Sequence, residues 1–218
     1  MAQQRRYTGL KIACFLFFLV SGYWFAREIR QTPRPLVGKA LPVNNDSCLQ
    51  LLRSGDILLR TGNDELSNIF RHLNTRNQTY SHAGLVFIEQ GKAVVYHSIG
   101  GADNPEGRLR RDPVAMFIHP DHNLGWGILR LDLDRPMQQV LQHVVDSLYR
   151  LPLHFDNDFD LQSDERMYCT EFVYKSISKA SGDPAFFSIT VADGKRYVAV
   201  DDLFNNKHAQ TICETRYK

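Results

Sequence analysis

Residues 81–99 read SHAGLVFIEQGKAVVYHSI, and this stretch decides the fold. Two apolar runs, at 83–88 and 93–99, are separated by the four residues EQGK at 89–92. Two such runs around a short loop that contains glycine predict an antiparallel β-hairpin.

The register of this hairpin determines whether its two histidines meet. A loop centred between Gln90 and Gly91 places His82 opposite Ile99, and His97 lies two residues before Ile99. The two histidines then share one face of the sheet as diagonal neighbours, about 7–8 Å apart at the backbone. A loop one residue longer or shorter places them on opposite faces. We therefore predict a hydrogen bond between His97 and one ring nitrogen of His82.

A cysteine further along the chain completes a possible catalytic set. The tetrapeptide YCTE at 168–171 opens an amphipathic stretch, which predicts a helix over 169–180 that ends at Gly182. A thiol at a helix N-terminus beside an imidazole becomes a strong nucleophile. We predict Cys169 as nucleophile, His82 as general base and His97 as the residue that orients the base.

Two other roles for these residues are weighed against catalysis. A single cysteine on a helix is most often a small buried apolar residue. Two histidines and a cysteine also suit zinc, but no fourth ligand is placed by the sequence. We predict no metal and no other cofactor.

Four short motifs, in this order, resemble the YiiX/YebB-like cysteine hydrolases, which form part of the circularly permuted, papain-like branch of the NlpC superfamily. They are SGDI at 54–57, YSHAG at 80–84, VYHSIG at 95–100 and DERMYCTE at 164–171, and the resemblance spans about residues 50–180. It implies Cys169 as nucleophile and His82 as base, with the histidine preceding the cysteine. The third, polar position falls on His97, where many YiiX-like members carry glutamate.

The resemblance implies a cysteine peptidase or amidase that cleaves an amide bond through a thioester intermediate. Its expected substrate is a cell-wall peptide, another peptidoglycan-derived peptide, or a small γ-glutamyl or lysyl amide. Histidine at the third position also occurs in the lecithin:retinol acyltransferase-like branch, so a lipid acyltransferase or thioesterase is an alternative. A catalytically silent peptidoglycan-binding module is another.

Three further residues are predicted to contact substrate. Tyr80 and Tyr168 stand close in sequence to the two candidate catalytic residues and are expected either to line the cleft or to help stabilise an oxyanion. Asp56, in the Gly-Asp turn, is expected either to bind a substrate amine or to accept hydrogen bonds from backbone amides.

The rest of the domain is predicted to be α+β, with a small antiparallel sheet packed against helices. The residues at 100–124 are predicted to be mainly loop. Strands are expected at 57–60 and 127–133, and helices at 64–73, with Asp64 as N-cap, and at 136–151, with Val140, Leu141, Val144, Val145 and Leu148 on its buried face.

The N-terminal 30 residues differ in composition from the rest. An almost wholly apolar run at 12–26 lies between basic residues, and it is shorter than the roughly 20 residues of a full membrane span. We expect an uncleaved hydrophobic signal anchor, because no small-x-small site follows the run; a cleaved signal peptide and a buried helix are the alternatives. Residues 31–47 read as a linker and 48–218 as the hydrolase domain. The domain is then exported and periplasmic, anchored to the inner membrane, or secreted if the segment is cleaved.

Charge and cysteine content bound the remaining possibilities. The net charge is +2, which gives no electrostatic basis for a nucleic-acid partner. Hydrophobic residues make up 43% of the chain, so a packed core is expected. Cys48 and Cys213 lie near the two ends of the domain, either as a disulfide or as two buried thiols; the sequence leaves this open.

Overall fold

The computed structural model describes residues 45–101, 104–192 and 194–217. The predicted anchor at 1–30 and most of the predicted linker lie outside the described residues. Among the helices in the described ranges, none has the length and apolar character needed to cross a bilayer. The first of these helices begins at Asn45, just before the predicted start of the domain.

An antiparallel sheet of six strands forms the centre of the domain, in the order β4-β3-β2-β1-β5-β8. A separate two-stranded ribbon, β6-β7, lies outside it. The strands are β1 Ile57–Gly62, β2 His82–Glu89, β3 Lys92–His97, β4 Arg110–Pro113, β5 Asn123–Leu131, β6 Thr190–Ala192, β7 Lys195–Tyr197 and β8 Ala209–Arg216.

Helices connect and cover these strands. They are α1 Asn45–Leu49, α2 Glu65–His72, α3 Val114–Phe117, α4 Arg135–Arg150, α5 Cys169–Ser181 and α6 Val200–Phe204, with one 3₁₀ turn at Pro120–His122.

The two faces of the sheet bury separate apolar clusters. On one face, α4 and α5 pack their apolar sides against alternate residues of β1 and β2, such as Leu59 and Leu85. On the other face, Leu58 and Val86 pack with residues of α1, α3 and β5. Because side chains alternate along a strand, His82 and His97 share the second face with Leu58.

Four strand ends meet at one end of the sheet. There β1 ends, β2 begins, β3 ends and β4 begins, since neighbouring strands are antiparallel. Polar residues such as Arg60, His82, His97 and Arg110 lie near these ends, whereas the middles of β2 and β3 are apolar. This arrangement places functional side chains from four strands beside one another.

Much of the predicted secondary structure is confirmed. The hairpin has the predicted register, with Leu85 opposite Tyr96 and Glu89 opposite Lys92. Asp64 caps α2 by accepting a hydrogen bond from the Ser67 N–H at 2.8 Å. Helix α5 begins at Cys169 and is followed by Gly182 in the left-handed conformation, with φ of 69°.

Other predictions are corrected. The segment at 100–124 contains β4, which the sequence analysis treats as loop, because Arg110–Pro113 is a charged edge strand without apolar alternation. Strand β5 runs from Asn123 to Leu131 and so begins before the predicted 127–133. Val140, predicted to be buried, is 44% exposed, because the buried stripe of α4 is narrower and consists of Leu141, Val145 and Leu148.

Candidate active site

Cys169 is the first residue of α5, and its position follows from how that helix begins. Glu171 lies in the first turn, and its Oε2 accepts a hydrogen bond from the backbone N–H of Tyr168, the N-cap residue, at 3.2 Å. The partial positive charge at this end of a helix favours an anion. A thiolate at Cys169 is therefore stabilised by the helix that carries it.

The thiol of Cys169 is protonated at neutral pH. Burial raises its pKa to about 11, although the backbone N–H groups of Ala83 and Thr170 favour the thiolate. Among the described residues, Cys169 is the cysteine outside a disulfide. The thiol thus needs a base to take its proton before it can attack a carbonyl carbon.

His82, the predicted base, is the first of three side chains joined by hydrogen bonds. His82 Nε2 lies 2.9 Å from His97 Nδ1, and His97 Nε2 lies 3.0 Å from Oδ2 of Asp112. Both histidines are more than 90% buried. The predicted contact between His82 and His97 is therefore present, and Asp112 extends it.

Asp112 fixes the tautomers of both imidazoles. An ionised carboxylate only accepts hydrogen bonds, so His97 donates from Nε2–H to Asp112. His97 Nδ1 must then accept, and the donor is His82 Nε2–H. The lone pair on His82 Nδ1 is left to take a proton, which is the state that a general base requires.

The pKa shifts of these three side chains are consistent with this assignment of the tautomers. Burial lowers the pKa of His82 well below its ordinary value, and the charges of Arg60 and His97 lower it further. Burial also lowers the pKa of His97, against the effect of Asp112. For Asp112, burial acts to raise the pKa, but hydrogen bonds from His97 and Arg110 outweigh it and hold the pKa below its ordinary value. At neutral pH the site holds two neutral imidazoles and one carboxylate.

A glycine allows the second histidine to reach the first. A Cβ on Gly84 would lie 2.8 Å from the Tyr96 backbone oxygen and 3.0 Å from the Cβ of His97. Any larger residue at this position would push β3 away from β2. The glycine of the SHAG motif thus sets the distance between the two histidines.

The two neighbours of Cys169 both bind the main chain of one residue, Val198. The Val198 N–H donates to Tyr168 Oη at 2.8 Å, and Thr170 Oγ1 donates to the Val198 carbonyl at 2.5 Å. Tyr168, Thr170 and Val198 also line the same cleft as Cys169. We call this arrangement the Val198 clamp; it fixes the start of α5 against the segment that precedes α6.

A cleft of about 1130 Å³ contains Cys169, His82, His97 and Asp112 in its lining. This volume exceeds that of most pockets for drug-sized ligands. Much of its wall is apolar or aromatic and is formed by Leu66, Phe70, Met116, Phe117, Phe155 and Phe159. The apolar side of α2, which has no buried residue, is part of this wall.

The structure separates the three residues that were predicted to contact substrate. Tyr168 lines the cleft, whereas Asp56 and Tyr80 do not. Asp56 directly precedes β1, at the end of the strand away from the cleft. It binds Arg130 through two contacts of 2.8 Å and the Arg53 N–H at 2.8 Å. Its alternative role, accepting a hydrogen bond from a backbone amide, is the one observed. Tyr80 donates from its hydroxyl to Glu214 at 2.6 Å, which turns it away from the site.

The sequence analysis missed Asp112 and the Val198 clamp. For Asp112, the available signal was its spacing from Arg110. Residues two positions apart in a strand share a face of the sheet. The clamp joins residues 28 and 30 positions apart through irregular backbone, and local patterns do not reveal such contacts.

The chain is similar to known proteins both in sequence and in fold. The family model described as a permuted papain-like amidase enzyme, YaeF/YiiX, C92 family, matches residues 51–206. The crystal structure of the metalloprotein YiiX from Escherichia coli O157:H7 is similar in fold, with a TM-score of 0.61 and 20% sequence identity; the match covers 76% of this chain and 98% of that one. No curated protein sequence matches this chain.

Proposed function

Because the chain belongs to the permuted papain-like amidases of the YaeF/YiiX, C92 family, it is a papain-like cysteine amidase, and we propose that it hydrolyses a cell-wall peptide or a small γ-glutamyl or lysyl amide in the cell envelope. The observation that carries the proposal is the chain from His82 through His97 to Asp112 in the cleft that also contains Cys169.

The first half of the proposed reaction forms a thioester. His82 Nδ1 takes the proton of the Cys169 thiol while sulfur attacks the carbonyl carbon of the substrate amide. The C=O electron pair moves onto oxygen, and we expect the backbone N–H of Cys169 to stabilise that oxyanion. When the intermediate collapses, the C–N bond breaks and His82 returns its proton to the leaving amine.

The second half releases the acyl group. Water gives a proton to His82 Nδ1 and attacks the thioester carbonyl, and the C–S bond then breaks with return of the proton to sulfur. Asp112 and His97 stabilise the imidazolium that forms in both halves, since the positive charge spreads along their hydrogen bonds.

An exported location is part of the proposal. The apolar run at 12–26 supports a membrane anchor. The structure joins Cys48 and Cys213 in a disulfide, with their Cα atoms 5.9 Å apart, and disulfides persist mainly in oxidising compartments such as the periplasm. After cell fractionation, an antibody to the domain should detect the protein in the membrane fraction. Protease added to spheroplasts should remove this signal.

We derive no step through a metal ion. YiiX is described as a metalloprotein. In the described ranges of this chain, no group of three or more His, Cys, Asp and Glu side chains is arranged to hold a metal. The ring nitrogens of His82 and His97 that face each other are already joined by a hydrogen bond.

The deciding experiment is a substrate panel. Purified protein is incubated with muropeptides, γ-glutamyl amides and lysyl amides, and products are identified by mass spectrometry. We expect release of an amine from at least one class, a transient acyl adduct on the Cys169 peptide, and loss of both in Cys169→Ser. Turnover that persists in Cys169→Ser would contradict the proposal.

A second function is favoured by the apolar wall of the cleft, which suits an acyl chain. The same panel therefore includes phospholipids and acyl thioesters. Cleavage of these without cleavage of peptides would assign the protein to lipid acyl transfer or thioester hydrolysis. Binding of muropeptides without any turnover by the folded protein would identify a peptidoglycan-binding module.

A further inference from the structure

Arg60 stands beside the catalytic base on the neighbouring strand. It is the cross-strand partner of His82 in the pairing of β1 with β2, so the two side chains leave the same face of the sheet. Arg60 also lines the cleft together with Cys169 and His97. A guanidinium is charged at every pH at which proteins are folded.

Several contacts hold this guanidinium in place. Its Nη1 donates to the Phe117 carbonyl oxygen at 3.4 Å and to Asn123 Oδ1 at 3.3 Å. Its central carbon lies 4.8 Å from the centre of the Phe117 ring, a cation–π distance. The same ring contacts His82 and His97, with centroid distances of 5.5 Å and 5.0 Å. Phe117 thus contacts both the cation and the histidine pair.

Other charged groups of the cleft are arranged around this cation. Arg110 and Asp112 form an ion pair with a 2.9 Å contact, so their charges largely offset each other. Asp64, at the start of α2, accepts hydrogen bonds from the N–H and hydroxyl of Ser67. The charge of Arg60 reaches that carboxylate as well, where it lowers the pKa against the effect of burial.

The influence of Arg60 extends to the nucleophile. Burial raises the pKa of Cys169, and the charge of Arg60 opposes this rise. Burial lowers the pKa of His82, and Arg60 adds to the fall. The cation therefore favours a negative sulfur, while Asp112 acts on His97, whose pKa it raises against the effect of burial.

We propose that Arg60 is a built-in countercharge of the catalytic centre, which stabilises the negative charge that the reaction places on the Cys169 sulfur and then on the substrate oxygen. The proposal rests on the role of Cys169 as nucleophile. In the first step the thiol proton moves to His82 Nδ1 and leaves a full negative charge on sulfur. That charge passes to the carbonyl oxygen as the C–S bond forms, so one fixed cation serves both stages.

The test compares two alkylating probes of similar size and different charge. Iodoacetamide is neutral and iodoacetate is anionic, and each is reacted with the protein between pH 7 and 9, with modification of the Cys169 peptide followed by mass spectrometry. In Arg60→Met we expect the iodoacetamide rate to fall about tenfold, because loss of a nearby cation raises a thiol pKa by about one unit. The iodoacetate rate should fall further, since the probe itself loses its attraction. Arg60→Lys keeps the positive charge, so the ratio of the iodoacetate rate to the iodoacetamide rate should return most of the way to its value in the parent protein.

Two control variants separate charge from structure. Arg111→Met removes a cation of β4 that pairs with Glu89 outside the cleft, and both rates should stay unchanged. Asp64→Asn keeps an N-cap of α2 but removes a negative charge, so the reaction rate with iodoacetate should rise relative to the rate with iodoacetamide. Equal losses with both probes in Arg60→Met and Arg60→Lys, with the same circular dichroism as the parent, would overturn the proposal. If the parent protein shows no reaction at Cys169 even at pH 9, the proposed nucleophile fails instead.

Discussion

At the scale of single residues, Asp112 is the group that fixes the tautomer of His82. The carboxylate forces His97 to donate from Nε2, and this in turn forces His82 to donate from Nε2. The basic nitrogen of His82 is therefore always Nδ1. A histidine pair without an acidic end could adopt either tautomer, and half of its arrangements would present N–H to the thiol.

Asp112→Asn tests this control of tautomers. The asparagine amide can donate to His97 Nε2 and reverse both hydrogen bonds, which leaves a proton on His82 Nδ1. We expect kcat to fall by about 10²–10⁴-fold with little change in KM, as in other hydrolase triads that lose their acid. Asp132→Asn, an exposed carboxylate outside the cleft, is the matched control. Equal kcat in the two variants would show that Asp112 has no part in orienting the base.

The proposed catalytic residues were more predictable than the residues that contact them. Cys169, His82 and His97 carry distinctive side chains at positions set by regular structure, so hairpin register and helix start placed them without coordinates. Asp112 lies on a strand with the sequence RRDP, which has no alternation of apolar and polar residues to indicate a strand. Tyr168 and Thr170 bind the main chain of Val198, and a main-chain partner has no signature in sequence.

At the scale of elements, the start of α5 contains a carboxylate that is hard to ionise. Glu171 is fully buried between the Tyr168 N–H and Lys175, whose Nζ lies 2.9 Å from Oε1. Burial raises the pKa of Glu171 to about 7, against the hydrogen bond and charge of Lys175; the charge of Asp156 adds to the rise. Lys175 also pairs with Asp164, at 2.7 Å.

This raised pKa predicts a pH dependence of stability. The folded protein holds the Glu171 proton more tightly than the unfolded chain does, so the contribution to stability is fully present below about pH 4.5 and is lost as pH rises to about 7. Relative to Glu171→Gln, the parent protein should lose on the order of 2–3 kcal/mol of unfolding free energy across this range. Urea unfolding at pH 4.5, 6 and 8 measures the difference. Glu165→Gln, an exposed neighbour, should run parallel to the parent; a Glu171→Gln curve that also runs parallel would refute the prediction.

Elements with strong local patterns were predicted best. Two apolar runs around a short loop with glycine predicted β2 and β3, and amphipathic patterns predicted α2, α4 and α5. The sequence predicted α2 but not the location of its apolar side, which faces the cleft, because an apolar pattern does not distinguish a cleft wall from a protein core. Strand β8 was missed since its partner β5 lies about 80 residues earlier, and only that pairing makes AQTICETR a strand.

At the scale of the whole molecule, the disulfide closes nearly the full domain. Cys48 precedes the sheet and Cys213 lies on its last strand, with 165 residues of sequence separation. A crosslink around so long a loop restricts the unfolded chain strongly. Sequence alone could name this pair but could not show that the two residues approach each other.

Removing the disulfide should lower stability without altering the chemistry. We expect the double variant Cys48→Ser, Cys213→Ser to lose about 2–5 kcal/mol of unfolding free energy. Neither residue lines the cleft, so kcat at 25 °C should be retained. Urea denaturation with and without a reductant provides the measurement. Reductant should shift the parent curve onto that of the variant; if the parent curve does not move, the two thiols are not joined in solution.

The Val198 clamp has a consequence for the order in which the enzyme becomes active during its synthesis. The hairpin with both histidines leaves the ribosome first, Cys169 follows, and Val198 is made 28 to 30 residues later than the two residues that bind it. Until then the nucleophile has a base near it but no fixed position, and reaction rates depend steeply on such positioning. We therefore expect a nascent chain to stay inactive until Val198 has been synthesised and has bound Tyr168 and Thr170.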